Sequence, residues 1–237
     1  MRLTVMILGT ALGAFAVPAL AAPACSPPPG LMPAPAIAPP PGEVVTGVTN
    51  AYYLLALNWT PQWCRAGGSG ARADEMECGR PFGFTLHGLW PNGVAKPYPR
   101  FCRPVGGIDA ATVRAMYCRT PSPELLQHEW QAHGGCGWSD PDRFFAQGSR
   151  LYDRIVIPRI ETIAPEALTA GVVRRAFVAK NPWLKPAMIY VQTDRADRLT
   201  EVRICYSLKF AAMACLGGNG APDAVALKLT PSLTRAF

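Results

Sequence analysis

The hydrophobic and polar positions of this chain predict helices that lie between two groups of strands. Apolar or loosely alternating runs rich in β-forming residues predict strands over residues 51–59, 82–89, 188–193 and 199–208. Thr60 and Pro61 predict a break after the first strand. Helical spacing between capping and breaking residues predicts helices over residues 109–118, 123–133, 139–157 and 170–180. Because the helices are clustered rather than alternating with strands, the pattern favours an α+β fold over a regular βαβ array.

The first 21 residues have the pattern of a signal peptide. Arg2 precedes an apolar run over residues 5–17, and Ala-Leu-Ala at residues 19–21 fits the small-residue rule for cleavage. The run is too short to span a bilayer, and no other segment has eighteen consecutive apolar residues. We therefore expect an exported protein, secreted or periplasmic, with no membrane attachment once residues 1–21 are removed.

The rest of the chain divides into a proline-rich tether and one domain. Residues 23–42 contain nine prolines and no charged residue, which favours an extended segment without a packed core of its own. We place the tether at residues 22–43 and a single domain at residues 44–237, since no internal repeat or second linker is present. Of the 237 residues, 49% are hydrophobic, which is enough for a core and excludes a wholly disordered chain.

Cysteine spacing and net charge bear on the compartment and on the partner. None of the eight cysteines forms a C-x-x-C pair, so they indicate disulfides in an oxidising compartment rather than a structural zinc site. Without residues 1–21 the chain has 22 basic and 16 acidic side chains, a net charge of +6. This excess favours polyanions such as nucleic acid, but it is also ordinary for a small domain, so charge alone does not identify a partner.

All three histidines lie in two short segments that each contain a tryptophan. His87 lies within FTLHGLWPNG, where it ends a predicted buried strand and where Trp90 offers a surface for a stacked base. His128 and His133 lie within QHEWQAHGGC. A strand-end histidine beside a buried tryptophan is also a common core pair, so the first segment alone does not establish a function.

The second segment resembles the zinc-protease motif H-E-x-x-H but has a different spacing. Its histidines are five residues apart and point about 140° away from each other on a helix, which is poor geometry for chelating zinc. Glu129 and His133 are four apart and face the same way, so we expect the carboxylate to raise the pKa of His133 and fix its orientation. An ordinary surface pair is the alternative.

Two imidazoles acting as base and acid are the simplest catalytic arrangement that these segments offer. Such a pair cleaves RNA without a metal ion or cofactor: one histidine removes the 2′-OH proton, and that oxygen attacks the adjacent phosphorus. The other histidine protonates the departing 5′-oxygen and leaves a 2′,3′-cyclic phosphate, each transfer contributing about 10²–10⁴-fold. DNA lacks the 2′-OH, so we expect no DNA cleavage.

FTLHGLWPNG and HEWQAHGGC are similar to the two active-site segments of the ribonuclease T2 family of secreted endoribonucleases. Residues 57–64 resemble the family's opening strand and W-x-P-x-x-C turn, and residues 201–205 resemble its late strand. The likeness spans about residues 51–215. It implies an α+β fold with a central antiparallel sheet surrounded by helices and stabilised by disulfides, and single-stranded RNA as the substrate. We expect a monomer.

The resemblance also implies roles for individual residues. His87 would be the general acid, His133 the general base, and His128 would bind the phosphate. Glu129 would help to stabilise the transition state. The residues implied to line a base pocket are Trp90, Asn92 and Tyr98.

The cysteines fit the same resemblance. The pairs that it favours are Cys64–Cys78, Cys205–Cys215 and Cys102–Cys136. The last of these would tie the loop after the first active-site segment to the end of the catalytic helix. By elimination Cys25 and Cys118 remain, and they either pair and hold the proline-rich tether or stay separate.

One residue departs from the family pattern. The second segment of the family usually reads H-E-W-x-K-H-G, but Ala132 stands where that lysine would neutralise charge on the pentacoordinate phosphorus. Either another cation reaches the site, with Lys96 and Arg143 as candidates from sequence proximity, or the enzyme is slow. Two alternatives stay open: a catalytically weak family member that binds RNA or another polyanion, and an exported zinc hydrolase.

Overall fold

A four-stranded antiparallel sheet forms the centre of the computed structural model, which describes residues 25–66 and 76–232. The strands follow the order β2-β1-β4-β3. Their bounds are Tyr52–Trp59 (β1), Phe84–Asn92 (β2), Ile189–Thr193 (β3) and Leu199–Ser207 (β4). The sheet and the helices around it confirm the predicted α+β fold. The predicted signal peptide lies outside the described residues.

Within the described residues, five α-helices connect the strands. Their bounds are Thr60–Arg65 (α1), Ala110–Met116 (α2), Pro123–Ala132 (α3), Pro141–Asp153 (α4) and Ala170–Lys180 (α5). Helices α2 to α5 each begin after a polar residue whose side chain accepts a hydrogen bond from the backbone N–H three residues on. These capping residues are Asp109, Ser122, Asp140 and Thr169.

Two prolines lie at or beside strand ends. β1 ends at Trp59, which confirms the predicted break at Thr60 and Pro61, and Pro61 lies in the first turn of α1, where its missing N–H has no helical partner to lose. Strand β2 continues beyond its predicted end to Asn92 and includes Pro91. Because β2 is an edge strand, it tolerates a residue that cannot donate to a second neighbour.

Helix α4 is shorter than the helix predicted over residues 139–157 because tertiary hydrogen bonds hold the chain beyond its end. The backbone N–H of Val156 donates to Oδ1 of Asn181 (2.8 Å), and Nδ2 of Asn181 donates to the carbonyl of Val156 (2.9 Å). Ile155 is buried in the core. A pairing between residues 25 positions apart is not visible in local sequence.

The two faces of the sheet have different surroundings. One face packs against the helices and forms the main core, in which Leu55 of β1 and Val202 of β4 are fully buried. On the other face, the described residues form a small apolar cluster that includes Leu54 and Cys205. Side chains alternate between the two faces along a strand. Glu201 and Arg203 lie four and two residues before Cys205 on β4, so they also project from this second face.

The described part of the proline-rich segment packs against the domain. Cys25 is bonded to Cys118, and Leu31 is 5% exposed in the main core. Gln131 exchanges two hydrogen bonds with the backbone of Ile37 (3.2 and 2.7 Å). The other disulfides are Cys64–Cys78, Cys102–Cys136 and Cys205–Cys215. Within residues 25–66 and 76–232, no helix combines the length and the hydropathy needed to cross a bilayer.

Candidate active site

His87 lies at a β-bulge in the edge strand β2. Leu57 of β1 faces Leu86, whereas the preceding residue, Ala56, faces Gly88, so His87 has no partner on β1. An extra residue at a bulge departs from the strict alternation of the strand and re-aims its side chain. The side chain of His87 is 27% exposed, which leaves the imidazole accessible to a substrate.

Two carboxylates flank the His87 ring. Nδ1 lies 2.5 Å from Oε1 of Glu201 on β4, and Nε2 lies 3.5 Å from Oε1 of Glu129 on α3. Burial opposes the charged ring, but the hydrogen bond with Glu201 and the negative charges of both carboxylates outweigh it and raise the pKa of His87. This environment favours the protonated imidazolium.

Glu201 is held in turn by Arg203, two residues further along the same face of β4. Nε and Nη2 of Arg203 lie 2.7 and 2.6 Å from Oε2 of Glu201. Burial acts in the opposite direction, but His87 and Arg203 lower the pKa of Glu201 to about 2. Sequence reasoning assigned no role to this pair. The signal that could have found it is the polar-apolar alternation of residues 201–204 on a predicted strand.

Glu129 approaches the strand because Gly88 has no side chain there. A Cβ at Gly88 would overlap the Glu129 carboxylate. Oε2 of Glu129 accepts a hydrogen bond from Nε1 of Trp90 (2.8 Å), and Oε1 is buried without a hydrogen-bond partner among the described residues. Burial raises the pKa of Glu129 to about 7, against the opposing effects of His87 and Trp90. A carboxyl group that is partly protonated near neutral pH can donate a hydrogen bond as well as accept one.

His133 does not pair with Glu129, so the predicted rise in its pKa is wrong. Helix α3 ends at Ala132, and His133 has a φ of −123°, outside the helical range, so the four-residue spacing no longer brings the two side chains together. The residue is 9% exposed, and its Nδ1 has no hydrogen-bond partner in the described parts of the chain. Burial, followed by the positive charge of Arg100, holds the pKa of His133 well below its usual value. This environment favours the neutral imidazole.

The indole of Trp90 joins the two histidines into one site. Its ring centroid lies 5.0 Å from that of His87 and 5.4 Å from that of His133. The guanidinium carbon of Arg203 lies 4.8 Å from the same centroid. Residues from an edge strand, the end of a helix and a central strand therefore converge on one aromatic ring.

His128 lies beside this group. Its ring centroid is 6.5 Å from that of His133 and 5.9 Å from that of Phe101. Burial, and then the positive charge of Arg100, lowers the pKa of His128. His128 and His133 are thus neighbours, although helical spacing predicted that they diverge, because His133 lies beyond the end of α3.

Two further predicted residues occupy different surroundings. Asn92 is buried, and its Nδ2 donates to the carbonyl of Trp90 (3.1 Å), so its amide supports the Trp90 backbone. Tyr98 is 37% exposed and forms a side-chain hydrogen bond with Tyr52. Tyr98 is therefore accessible to a ligand, whereas Asn92 is not.

The cations expected from sequence proximity lie at exposed positions. Arg143 is 79% exposed and pairs with Asp140, and Lys96 lies in an exposed loop. Neither is among the charges that shift the pKa values of the residues described above, whereas Arg100 and Arg203 are. Ala132 is fully buried. In the described residues, no three His, Cys, Asp or Glu side chains cluster in a way that could hold a metal ion.

The model of the ribonuclease T2 family matches residues 50–215, which is more than half of the chain. The chain therefore belongs to the ribonuclease T2 family.

Two curated relatives show the extent of the likeness in sequence. The chain is 32% identical over 178 residues to a probable ribonuclease of Haemophilus influenzae, covering 69% of this chain and 60% of the relative. It is 39% identical over 100 residues to a ribonuclease of Aeromonas hydrophila, covering 42% of this chain and 44% of the relative. The matched part thus spans about half the length of these relatives.

Solved structures share the fold at low sequence identity. Trichomaglin, an S-like ribonuclease, has a TM-score of 0.62 and 19% identity, covering 78% of this chain and all of that one. An RNase-related protein from Calystegia sepium has a TM-score of 0.58 and 19% identity, covering 75% and 97% of the two chains. At 19% identity these similarities show that the fold is shared and nothing further.

Proposed function

We propose that this chain is an exported endoribonuclease that cleaves single-stranded RNA by metal-independent acid–base transphosphorylation. One observation carries the proposal: two imidazoles contact the same indole, yet their surroundings favour opposite protonation states. A general acid must hold a proton before the reaction, and a general base must lack one. The raised pKa of His87 suits the acid, and the lowered pKa of His133 suits the base.

The proposed reaction is a proton transfer at each end of an in-line displacement. His133 takes the proton of the 2′-OH while the 2′-oxygen forms a bond to the adjacent phosphorus. The bond from phosphorus to the 5′-oxygen breaks, and His87 gives that oxygen its proton. The products are a 2′,3′-cyclic phosphate and a 5′-OH, and solvent returns both histidines to their starting states.

Glu129 and His128 complete the proposed catalytic group. Since the pKa of Glu129 is raised to about 7, its carboxyl group carries a proton in part of the molecules near neutral pH and can donate to a phosphorane oxygen. It also lies against the acid, His87. His128, beside His133, would bind the phosphate.

A base would bind next to this group. Trp90 and the accessible Tyr98 are proposed to contact it, and Asn92 acts through its hydrogen bond to the Trp90 carbonyl. Arg203 already covers part of the indole, so a base stacking on Trp90 would share that ring with the guanidinium.

Export and a monomeric state belong to the same proposal. Four disulfides favour an oxidising compartment, secreted or periplasmic, and residues 1–21 are proposed to direct the chain there. The catalytic domain is proposed to be residues 44–237, preceded by the tether at residues 22–43.

The proposal is tested with homopolymer RNA and matched DNA, with products separated by chromatography. We expect 2′,3′-cyclic phosphates from RNA in the presence of EDTA, no cleavage of DNA, and loss of turnover in His87→Ala and in His133→Ala. RNA binding without cleavage would overturn the proposal and favour the alternative, a catalytically weak member of the family that binds a polyanion. Loss of activity in EDTA would favour a metal-dependent hydrolase.

A further inference from the structure

The proposed reaction needs positive charge at the phosphorus in addition to the proton that His87 gives to the leaving oxygen. Two non-bridging oxygens gain negative charge as the fifth bond forms. Arg203 is neutralised by Glu201, and the buried residue at position 132 of α3 is alanine. Among the described residues, Arg100 is the other cationic side chain whose charge shifts the pKa values of the site histidines.

The backbone holds Arg100 next to the end of helix α3. Arg100 forms an antiparallel bridge with Val45, with N···O distances of 2.8 and 3.2 Å. The N–H of the next residue, Phe101, donates to the carbonyl of Ala132 (2.9 Å). Phe101 has a φ of 49°, a left-handed conformation that costs free energy in a non-glycine residue. A strained residue thus anchors Arg100 beside the position that lacks a cation.

The side chain of Arg100 retains hydrogen-bonding capacity. Its Nη1 lies 2.9 Å from Oε2 of Glu43, but that carboxylate oxygen has no partner with hydrogen-bond geometry in the described residues. Nε of Arg100 is buried and likewise has no hydrogen-bond partner there. A guanidinium with a free donor suits a phosphate, whose oxygens accept two parallel N–H bonds.

Ring contacts connect Arg100 to the histidines. Its guanidinium carbon lies 5.4 Å from the ring centroid of Phe101, whose ring contacts His128, whose ring in turn contacts His133. After burial, the charge of Arg100 is the largest influence that lowers the pKa values of both histidines. Two intervening rings, those of Phe101 and His128, therefore link the arginine to the proposed base.

We propose that Arg100 contacts the non-bridging oxygens of the scissile phosphate and supplies the charge that α3 lacks at Ala132. Glu43 holds the guanidinium in the free enzyme and yields it to the phosphate when RNA binds. The inference rests on the proposed endoribonuclease activity.

The test compares Arg100→Ala and Arg100→Lys with Arg143→Ala, which removes an exposed arginine that pairs with Asp140. We expect kcat to fall by about 10²–10³-fold in Arg100→Ala, as for loss of one oxyanion donor in other enzymes, and to recover in part in Arg100→Lys. Inorganic phosphate should inhibit Arg100→Ala at least about tenfold more weakly, whereas inhibition by adenosine should not change. Arg143→Ala should match the wild type in all three measurements.

A rescue distinguishes charge at the phosphate from a structural role. Ala132→Lys places an ammonium on the neighbouring helix, so it should raise kcat more in the Arg100→Ala background than in the wild type. Equal gains in the two backgrounds would mean that the two positions act independently and would overturn the inference. Thermal melts report whether each variant folds; if Arg100→Ala does not, Arg100→Gln replaces it in the same comparison.

The outcomes separate this inference from the proposed function. If the wild type does not cleave RNA, the proposed function fails. If the wild type cleaves RNA and folded Arg100→Ala keeps its kcat and its inhibition by phosphate, the proposed function stands and the role of Arg100 is wrong.

Discussion

The two histidines that contact Trp90 lie in regions of the molecule that shift the pKa of an imidazole in opposite directions. On the strand side, the bulge of β2 and the neighbouring β4 surround His87 with the carboxylates of Glu129 and Glu201. On the helix side, the end of α3 buries His133 without a carboxylate or a hydrogen bond at Nδ1 in the described residues. The first environment favours the cationic ring and the second the neutral ring.

In the proposed mechanism, the environment of each histidine, rather than its residue type, decides which one is the acid and which the base. When the acid has the higher pKa and the base the lower, the reactive protonation state is the major form over the whole pH interval between them. With the pKa values reversed, only a small fraction of molecules would hold the reactive combination. The direction of both shifts therefore favours activity over a broad range.

We expect the largest effect on catalysis from Gly88→Ala, which changes the strand side of the site. The new methyl group would overlap the Glu129 carboxylate and displace it from His87 and Trp90. Because a misplacement of about 1 Å in a catalytic group can cost about 10²-fold, we expect kcat/KM for RNA to fall by about that factor. Steady-state kinetics on a dinucleotide substrate measure it.

Gly148→Ala in helix α4 is the matched control. Its Cβ would meet Leu86 at 3.7 Å and Leu89 at 3.9 Å, which are ordinary contacts, and alanine is the better helix former by about 1 kcal/mol. We expect unchanged kinetics and equal or greater stability. An active Gly88→Ala would show that Glu129 need not lie against the strand.

Glu201→Gln should have a smaller effect, and one that depends on pH. The substitution removes the strongest interaction that raises the pKa of His87. The descending limb of the plot of kcat/KM against pH should therefore move to lower pH. The ascending limb, which the proposed mechanism assigns to His133, should stay in place. Because a hydrogen bond to a charged group contributes about 1.5–3 kcal/mol, activity above neutral pH should fall about tenfold. Glu166→Gln, at an exposed position, removes the same charge and should leave both limbs unchanged.

The same variant tests the sign of a stability effect. Folding lowers the pKa of Glu201 from 4.5 to about 2, so the ionised carboxylate stabilises the fold above pH 4.5. That contribution is lost as the pH falls from about 4.5 to 2. Between these values the free energy of unfolding, measured with urea, should depend less on pH in Glu201→Gln than in the wild type. Equal slopes would contradict the low pKa.

Local signals explain what the sequence predicted well. Capping residues such as Thr169 accept a hydrogen bond only three residues on, so the bounds of α5 match the predicted residues 170–180. The motifs around His87 and His133 lie in two segments far apart in sequence, and the structure brings both histidines into contact with Trp90.

Interactions between distant residues explain what was missed. The contact of His87 with Glu201 joins residues 114 positions apart, and it depends on strand register and on a one-residue bulge. The predicted rise in the pKa of His133 assumed that this residue lies in the helix, but it lies one residue beyond the helix end. Gly134 already indicated that the helix ends here. Arg100 was overlooked because its nearness to the site depends on a bridge to Val45.

The smallest effect on catalysis is expected from the disulfides, and it should differ between the helix side and the rest of the molecule. Cys102–Cys136 ends three residues after His133, whereas Cys25–Cys118 holds the proline-rich segment. Replacing both cysteines by serine should lower kcat several-fold for the first pair and leave it unchanged for the second.

The second pair closes a longer loop, with a sequence separation of 93 against 34, so on the chain-entropy model its loss should cost about 1 kcal/mol more in stability. Thermal melts and kinetics on the two double variants measure both effects. Unchanged kcat without Cys102–Cys136 would mean that packing alone holds the end of α3, and that the neutral base needs no covalent support.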